Sequence, residues 1–255
     1  MKFRLKAFGL HLAASALVLT LVLGALYLGW YRWPGWYLCN ALKVAPILLA
    51  VDLTLGPLLT LLIANPVKPR RELARDISVI ASVQILALVY GAATLWHGRP
   101  LYYAFSEDRL QIVQASDLSA AEVARAMREN PSLAPYWYSL PRWVWAPLPA
   151  AADQRQAIVV SAISGGADVI EMPRYFQPWA AGAAALRAQL RRYDEQRDVR
   201  LRQPKVQALL RQKMLARGVP PDQPVAIMMT GQASPLLAVF DRDTLRLRAL
   251  LRSDR

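Results

Sequence analysis

The sequence predicts a membrane protein: three N-terminal transmembrane α-helices (residues 1–97) followed by a small α+β soluble domain (residues 98–255). Three windows carry that prediction. No Asp, Glu, Lys or Arg occurs between Ala7 and Tyr31, or between Ile77 and Trp96, and Val44–Ala64 is interrupted only by Asp52. Each window supplies the roughly 20 apolar residues that a helix needs to cross about 30 Å of hydrocarbon. Backbone amides in lipid must be paired within the segment, so a helix is the natural form of all three. Hydrophobic residues make up 55% of the chain and mean hydropathy is +0.20, high for a soluble protein.

Lys2, Arg4 and Lys6 ahead of the first window resemble the start of a secretory signal. The apolar run that follows is longer than a signal core and ends in Tyr27, Trp30, Tyr31, Trp33, Trp36 and Tyr37. Such an aromatic belt belongs at a lipid–water interface, so the segment is expected to be an uncleaved anchor. Lys68, Arg70, Arg71 and Arg75 lie between the second and third windows, whereas the loop from Arg32 to Lys43 carries only those two positive charges. The positive-inside rule places the N-terminus and the Asn65–Asp76 loop in the cytoplasm and everything after Trp96 outside. In a bacterium that compartment is the periplasm.

Asp52 is the one acidic residue inside a span. An unpaired carboxyl there costs on the order of 2.5–3.5 kcal/mol, so it is expected to face protein. Counting about 1.5 Å per residue from the cytoplasmic ends puts Asp52, Thr20 and Tyr90 at one depth. His11 and Thr60 share a shallower level, with Gln84 between. The count predicts an Asp52–Tyr90 or Asp52–Thr20 hydrogen bond locking the three helices, or else a contact from Asp52 to a polar group on a client helix. Gly56-Pro57 is expected to kink the second helix beside the carboxyl, because Pro57 lacks a backbone donor and clashes with the Leu53 carbonyl. Ala87 and Gly91, four apart, leave room for close helix approach. Cys39 is the only cysteine, so no intramolecular disulfide forms, and it reads as a small buried hydrophobe.

Beyond the membrane the pattern becomes mixed. Leu101–Phe105 and Leu110–Ala115 read as strands joined by a turn at residues 106–109. Ser119 with Glu122 forms a capping box for a helix reaching about Asn130. Residues 131–149 hold five prolines among Trp and Tyr, the composition of an irregular packed loop. Asp153 caps a helix that Gly165-Gly166 stops, and helices follow over Trp179–Arg200 and Lys205–Arg217. Val225–Thr230, Leu236–Phe240 and Leu245–Leu251 read as strands. Strands at both ends with helices between suggest one sheet containing the first and last strands.

Catalytic chemistry is hard to find. His11 and His97 are the only histidines, and no Cys/His cluster suits zinc. There is no G-x-S-x-G elbow, P-loop or dinucleotide fingerprint. Asp241-Arg242-Asp243 has the spacing of a metal–sugar-nucleotide motif, but between two apolar strands it reads as a turn. The sequence therefore predicts no enzyme, no cofactor, no metal and no small-molecule substrate. Past Trp96 there are 22 basic and 15 acidic residues, a net of +7, and the window Arg187–Arg217 accounts for all of it. Outside the cell membrane nucleic acid is not an expected partner; membrane lipids or an acidic protein face suit the charge better. Arg191 and Arg192 in that window, with Tyr136, Trp137 and Trp143 of the aromatic loop, form the candidate partner surface, since clustered aromatics with arginine are the composition of interface anchors.

The order of motifs resembles that of the type IV pilin accessory proteins of the TfpX/TfpZ type. The resemblance runs from Arg4-Leu5-Lys6-Ala7-Phe8-Gly9-Leu10-His11-Leu12 through Val51-Asp52-Leu53-Thr54-Leu55-Gly56-Pro57-Leu58-Leu59-Thr60 and Leu73-Ala74-Arg75-Asp76-Ile77-Ser78 to Arg99-Pro100. In the soluble part it takes in Ser139-Leu140-Pro141, Gly165-Gly166-Ala167-Asp168 and Pro173-Arg174-Tyr175-Phe176-Gln177-Pro178. It departs at the C-terminus, where Leu236–Phe240 and Ser253-Asp254-Arg255 stand in place of a tryptophan-bearing hairpin and a Leu-Asp-Pro-Trp-like end. The resemblance implies a bacterial inner-membrane, chaperone-like accessory of type IV pilus biogenesis. Its partner would be the major pilin, met through membrane helices and the periplasmic domain. The competing classes are a membrane enzyme that modifies pilin and a membrane sensor.

Overall fold

The computed structural model describes residues 1–196 and 199–252, without the side chains of Val199 and Arg200. Arg197 and Asp198 of the basic window, the Arg200 side chain and the Ser253-Asp254-Arg255 end lie outside the described residues. The chain divides into two compact units: Met1–Trp36 with Asn40–Gly98, and Tyr37–Cys39 with Arg99–Arg255.

The first unit is helical. Helix α1 spans Lys2–Gly29, and the short turn α2 spans Gly35–Leu38, its last two residues belonging to the second unit. The second span, Ala41–Ile63, is composite: a 3-10 turn (Ala41–Lys43), α3 (Ala45–Ala50), a π-helical turn (Val51–Leu55) and α4 (Gly56–Ile63). Helix α5 covers Arg70–His97. All three spans are long and apolar enough to cross a membrane. The aromatic belt ties two of them at one end: the Tyr31 hydroxyl donates to the Leu95 carbonyl at 2.6 Å, and Trp30 meets Trp96 edge-on at 4.9 Å. Gly91 lets Leu48 of α3 pack directly on α5, because a Cβ there would overlap the Leu48 side chain.

The second unit holds a seven-stranded sheet among the described residues, in the order β4-β3-β1-β2-β5-β6-β7. The strands are β1 (Pro100–Ser106), β2 (Arg109–Gln114), β3 (Arg142–Trp145), β4 (Gln177–Pro178), β5 (Ala226–Thr230), β6 (Leu236–Phe240) and β7 (Leu247–Arg252). The β1–β2 hairpin turns at Glu107, whose φ is +49°. β1 runs parallel to β3 and β2 parallel to β5, so strands from both ends of the domain share one sheet, as expected. Every residue of β1 is buried, which marks it as the centre of the core. Around it pack Val113, Val144, Ile170 and Phe176. A second cluster, with Leu210 and Met214 of the helix at Pro204–Leu215, packs on β5, β6 and β7. Leu38 and Cys39 are buried in this unit, and the Gln232 amide donates to the Leu38 carbonyl at 2.7 Å. Burial pushes the Cys39 thiol well above its ordinary range, which suits the hydrophobe the sequence suggests.

Several local expectations change in the folded chain. Residues 131–149 are not wholly irregular, because Arg142–Trp145 pairs with β1 as β3. The helix expected over Trp179–Arg200 is a 3-10 turn and a short helix ending at Gln189. Arg191 and Ala226 then exchange both backbone hydrogen bonds, at 2.8 and 2.9 Å, and a helix could not supply that bridge. Asp153 lies inside the first turn of the helix Ala152–Ile163, whose cap position is Ala151. The Glu122 amide does donate to Ser119 Oγ, but the Glu122 carboxylate turns to Arg125 and Arg174. Asp241 behaves as a turn residue. It accepts from the Thr244 amide and hydroxyl and from Arg248, and these bonds hold its carboxyl below the usual range.

Tyr102 joins the sheet to the proline-rich loop: its hydroxyl donates to the Leu133 carbonyl at 2.6 Å and its ring meets Phe176 edge-on at 4.9 Å. Tyr102→Phe should lower stability by about 1 kcal/mol, the net worth of one hydrogen bond. Tyr102→Ala should cost about 3–5 kcal/mol through the cavity it leaves. Thermal unfolding of the purified protein in mild detergent will rank the two; equal melting temperatures would show that the ring carries no packing load.

Candidate functional site

The polar groups of the spans meet in one chain of hydrogen bonds that starts at a backbone irregularity. In a regular helix the Gly56 amide would donate to the Asp52 carbonyl; here it donates to the Val51 carbonyl, five residues back, inside the π turn. The next amide along is missing, because residue 57 is proline. The Asp52 carbonyl is thus left without a donor from its own helix, in a setting with no water to replace it. Gln84 of α5 supplies one, its Nε2 donating at 3.1 Å. Gly56 makes this possible: a Cβ on that residue would overlap the Gln84 carboxamide. The Gly56-Pro57 pair, expected to act as a kink, acts here as a shift of hydrogen-bond register.

The chain continues from Gln84 to α1 and back to α4. His11 Nε2 lies 2.7 Å from Gln84 Oε1, and His11 Nδ1 lies 2.5 Å from Thr60 Oγ1. Gln84 Oε1 can only accept, so His11 Nε2 carries the proton and donates. In the neutral ring Nδ1 is then the acceptor of the Thr60 hydroxyl. Thr60, His11, Gln84 and the Asp52 carbonyl thus run donor to acceptor across all three spans. The Asp52 side chain is itself only 4% exposed, and its Oδ2 is buried with no hydrogen-bond partner.

The depth count from sequence puts His11 and Thr60 at one level, and the two side chains are hydrogen-bonded, but the partners it offers Asp52 are not met. Tyr90 is 78% exposed and Thr20 is also exposed. At about 100° per residue, Thr20 sits nine positions and so about 180° round α1 from His11. Tyr90, six positions from Gln84, is about 120° off the inward line of α5. Both are level with Asp52 and point elsewhere.

Beside the polar chain, α1 and α5 bound a groove of about 460 Å³. Ala7, Ala14 and Val18 line one wall, Ile77, Ala81 and Leu88 the other, and His11, Asp52, Thr60 and Gln84 the polar floor.

In the second unit the candidate partner surface separates into an exposed and an internal part. Arg142 staples the aromatic loop through the Ser132 and Ala134 carbonyls at 2.8 and 2.9 Å. Trp137 and Tyr138 stand out from that anchored loop at 72% and 58% exposure, with Tyr138 stacked on half-buried Tyr136. Trp143, by contrast, is held between Tyr103 and Trp179, at 5.0 and 5.1 Å. The basic window is largely spent on its own fold. Arg191 donates to the Ala188 carbonyl, Arg192 pairs with Asp194 at 2.8 Å, and Lys213 reaches the Arg252 carbonyl. Among the described residues no group of three His, Cys, Asp or Glu side chains lies where it could hold one metal ion.

Gly56→Ala should destabilise the first unit by about 1–3 kcal/mol, because the new methyl displaces the Gln84 amide and orphans the Asp52 carbonyl. Gln84→Ala removes the same bond and relieves the overlap. The double variant should therefore fall short of the sum of the singles by at least about 0.5 kcal/mol in thermal unfolding. Strict additivity would disprove the coupling.

No family model and no solved structure matches the chain. It is 30% identical over 127 residues to the fimbrial assembly protein of serogroup I from Dichelobacter nodosus, covering 50% of this chain and 49% of that protein. The serogroup E1 protein of the same organism is 29% identical over 127 residues, with coverage of 50% and 49%. The chain thus spans about half the length of these two relatives. The fimbrial assembly protein of serogroups C1 and C2 is 30% identical over 124 residues, which is 49% of this chain and 95% of the relative. With one relative matched across nearly all of its length, the chain belongs to the family of fimbrial assembly proteins, in keeping with its resemblance to pilin accessory proteins.

Proposed function

We propose that the chain is a non-enzymatic, chaperone-like accessory of the bacterial inner membrane that helps a type IV pilin reach or remain in the pilus. The observation that carries this reading is the match across 95% of the length of a relative named for fimbrial assembly. The polar chain beside an open groove within the spans suits a protein that handles other membrane segments. Trp137 and Tyr138, exposed on an anchored loop, suit a contact with a pilin head outside the membrane. A rigid exposed aromatic contributes affinity, while the remaining free charge mainly orients the encounter.

Deletion of the gene should reduce pili, and the pilin from both strains should have the same mass; a mass difference would instead make the protein a modifying enzyme. Trp137→Ala should cut in-cell crosslinking to pilin several-fold while protease resistance of the domain is unchanged. Trp143→Ala should weaken the fold itself, since it removes a half-buried ring packed between Tyr103 and Trp179. Undiminished crosslinking in Trp137→Ala would move the contact away from this loop.

The proposed topology has a separate test. The basic flanks put the N-terminus and residues 65–76 in the cytoplasm and the C-terminal domain in the periplasm. A C-terminal alkaline phosphatase fusion should be active in intact cells and a fusion at Arg71 inactive. The reverse pattern would overturn the periplasmic placement.

A further inference from the structure

We propose that the groove between α1 and α5 is a docking site for a single transmembrane helix of a partner protein, and that Asp52 receives a hydrogen-bond donor carried by that helix at mid-membrane depth. The proposal builds on the accessory reading only for who the partner is; the site rests on the helical unit alone.

The first argument is the unmet oxygen. Asp52 lines the groove, is 4% exposed, and has an Oδ2 without a partner, while the neighbouring polar groups are already committed to one another. Gln84 Nε2 spends one of its two N–H groups on the Asp52 carbonyl and offers the other to the carboxyl, which leaves Oδ2 as the carboxyl oxygen without a partner. An ionisable side chain within a span is costly to insert and marks a candidate functional site. The π turn beneath it points the same way, since such turns recur at functional sites.

The second argument selects the occupant. Asp52 stands eleven residues from either end of the Ala41–Ile63 span, about 16 Å from each at 1.5 Å per residue. A lipid acyl chain could fill the space but brings no donor, and a headgroup donor stays near the interface. A helix can carry Ser, Thr, Asn, Gln or Lys to that depth. The walls also suit a helix. They run from Ala7 to Val18 and from Ile77 to Leu88, each three turns or about 16 Å. Ala7, Ala14, Ser15 and Ala81 keep them low, and small residues are what let helix backbones approach in lipid.

The test uses the full-length protein in phosphatidylcholine vesicles and two labelled synthetic helices of 24 residues, one of Leu and Ala alone and one with a single central Asn. Energy transfer should report at least tenfold tighter binding of the Asn helix. Asp52→Leu should reduce that binding to the level of the Leu/Ala helix, with the variant melting at the same temperature as the parent or higher. Ala14→Phe and Ala81→Phe, which fill the groove, should abolish binding, and Val83→Phe, on an exposed part of α5, should not. Equal binding of the two helices, no binding, or binding unaffected by Asp52→Leu would overturn the proposal. So would a sharply lower melting temperature for Asp52→Leu, which would make the carboxyl a structural tie. Energy transfer between two labelled copies that disappears in Asp52→Leu would give the groove to a second copy of the chain and also overturn it. Failure here with loss of pili on gene deletion removes the groove and leaves the accessory reading. Normal pili on deletion with the peptide result intact does the opposite.

Discussion

Inside a bilayer no water is available to repair a broken backbone hydrogen bond, and the helical unit is organised around that constraint. Pro57 withholds an amide, the π turn sends the Gly56 amide to Val51, and the Asp52 carbonyl must be served from another helix. Gln84 serves it only because residue 56 has no side chain. Once Gln84 is held there, its oxygen fixes the tautomer of His11, and His11 in turn takes the Thr60 hydroxyl. A local defect in one helix thereby sets the mutual rotation of three. Their other faces need no such specificity, because lipid is as apolar as the leucines that line them.

The soluble unit solves a different problem with a different central element. β1 is buried along its whole length, so it needs strands on both edges and cover on both faces. The antiparallel neighbour is local, whereas β3 arrives after the helix Ala120–Glu129 and the proline-rich loop. That connection leaves the loop pinned at its base by Tyr102 and Arg142 while Trp137 and Tyr138 remain in solvent. A rigid base and an exposed aromatic tip reduce the entropy lost when such a tip is buried by another protein.

The two candidate surfaces thus share one design. Each presents something that is unfavourable to leave uncovered, on a frame anchored by its own hydrogen bonds. In the spans it is a carboxylate oxygen without a donor; in the soluble unit it is a pair of large aromatic side chains. The accessory role proposed for the chain, holding a subunit and later releasing it, would call for contacts of this kind, strong when made and tolerable when absent.

By itself the sequence determined the three spans, the mixed domain after them, five of the strands and the turn at Asp241. Each of these follows from composition or from a period of a few residues. Depth was readable too, for His11 and Thr60, counted to one level, are close enough to bond. Rotation about the helix axes was not readable, and so Tyr90 and Thr20 share the depth of Asp52 while facing away from it. β3 escaped because four residues between prolines show no usable alternation, and its parallel partner lies some forty residues away. The helix after Trp179 was overextended for the same reason: Arg191 bonds to Ala226, and a propensity read over ten residues has no knowledge of it. Only tertiary structure decided these points, because each depends on which donor a distant segment brings within hydrogen-bonding distance.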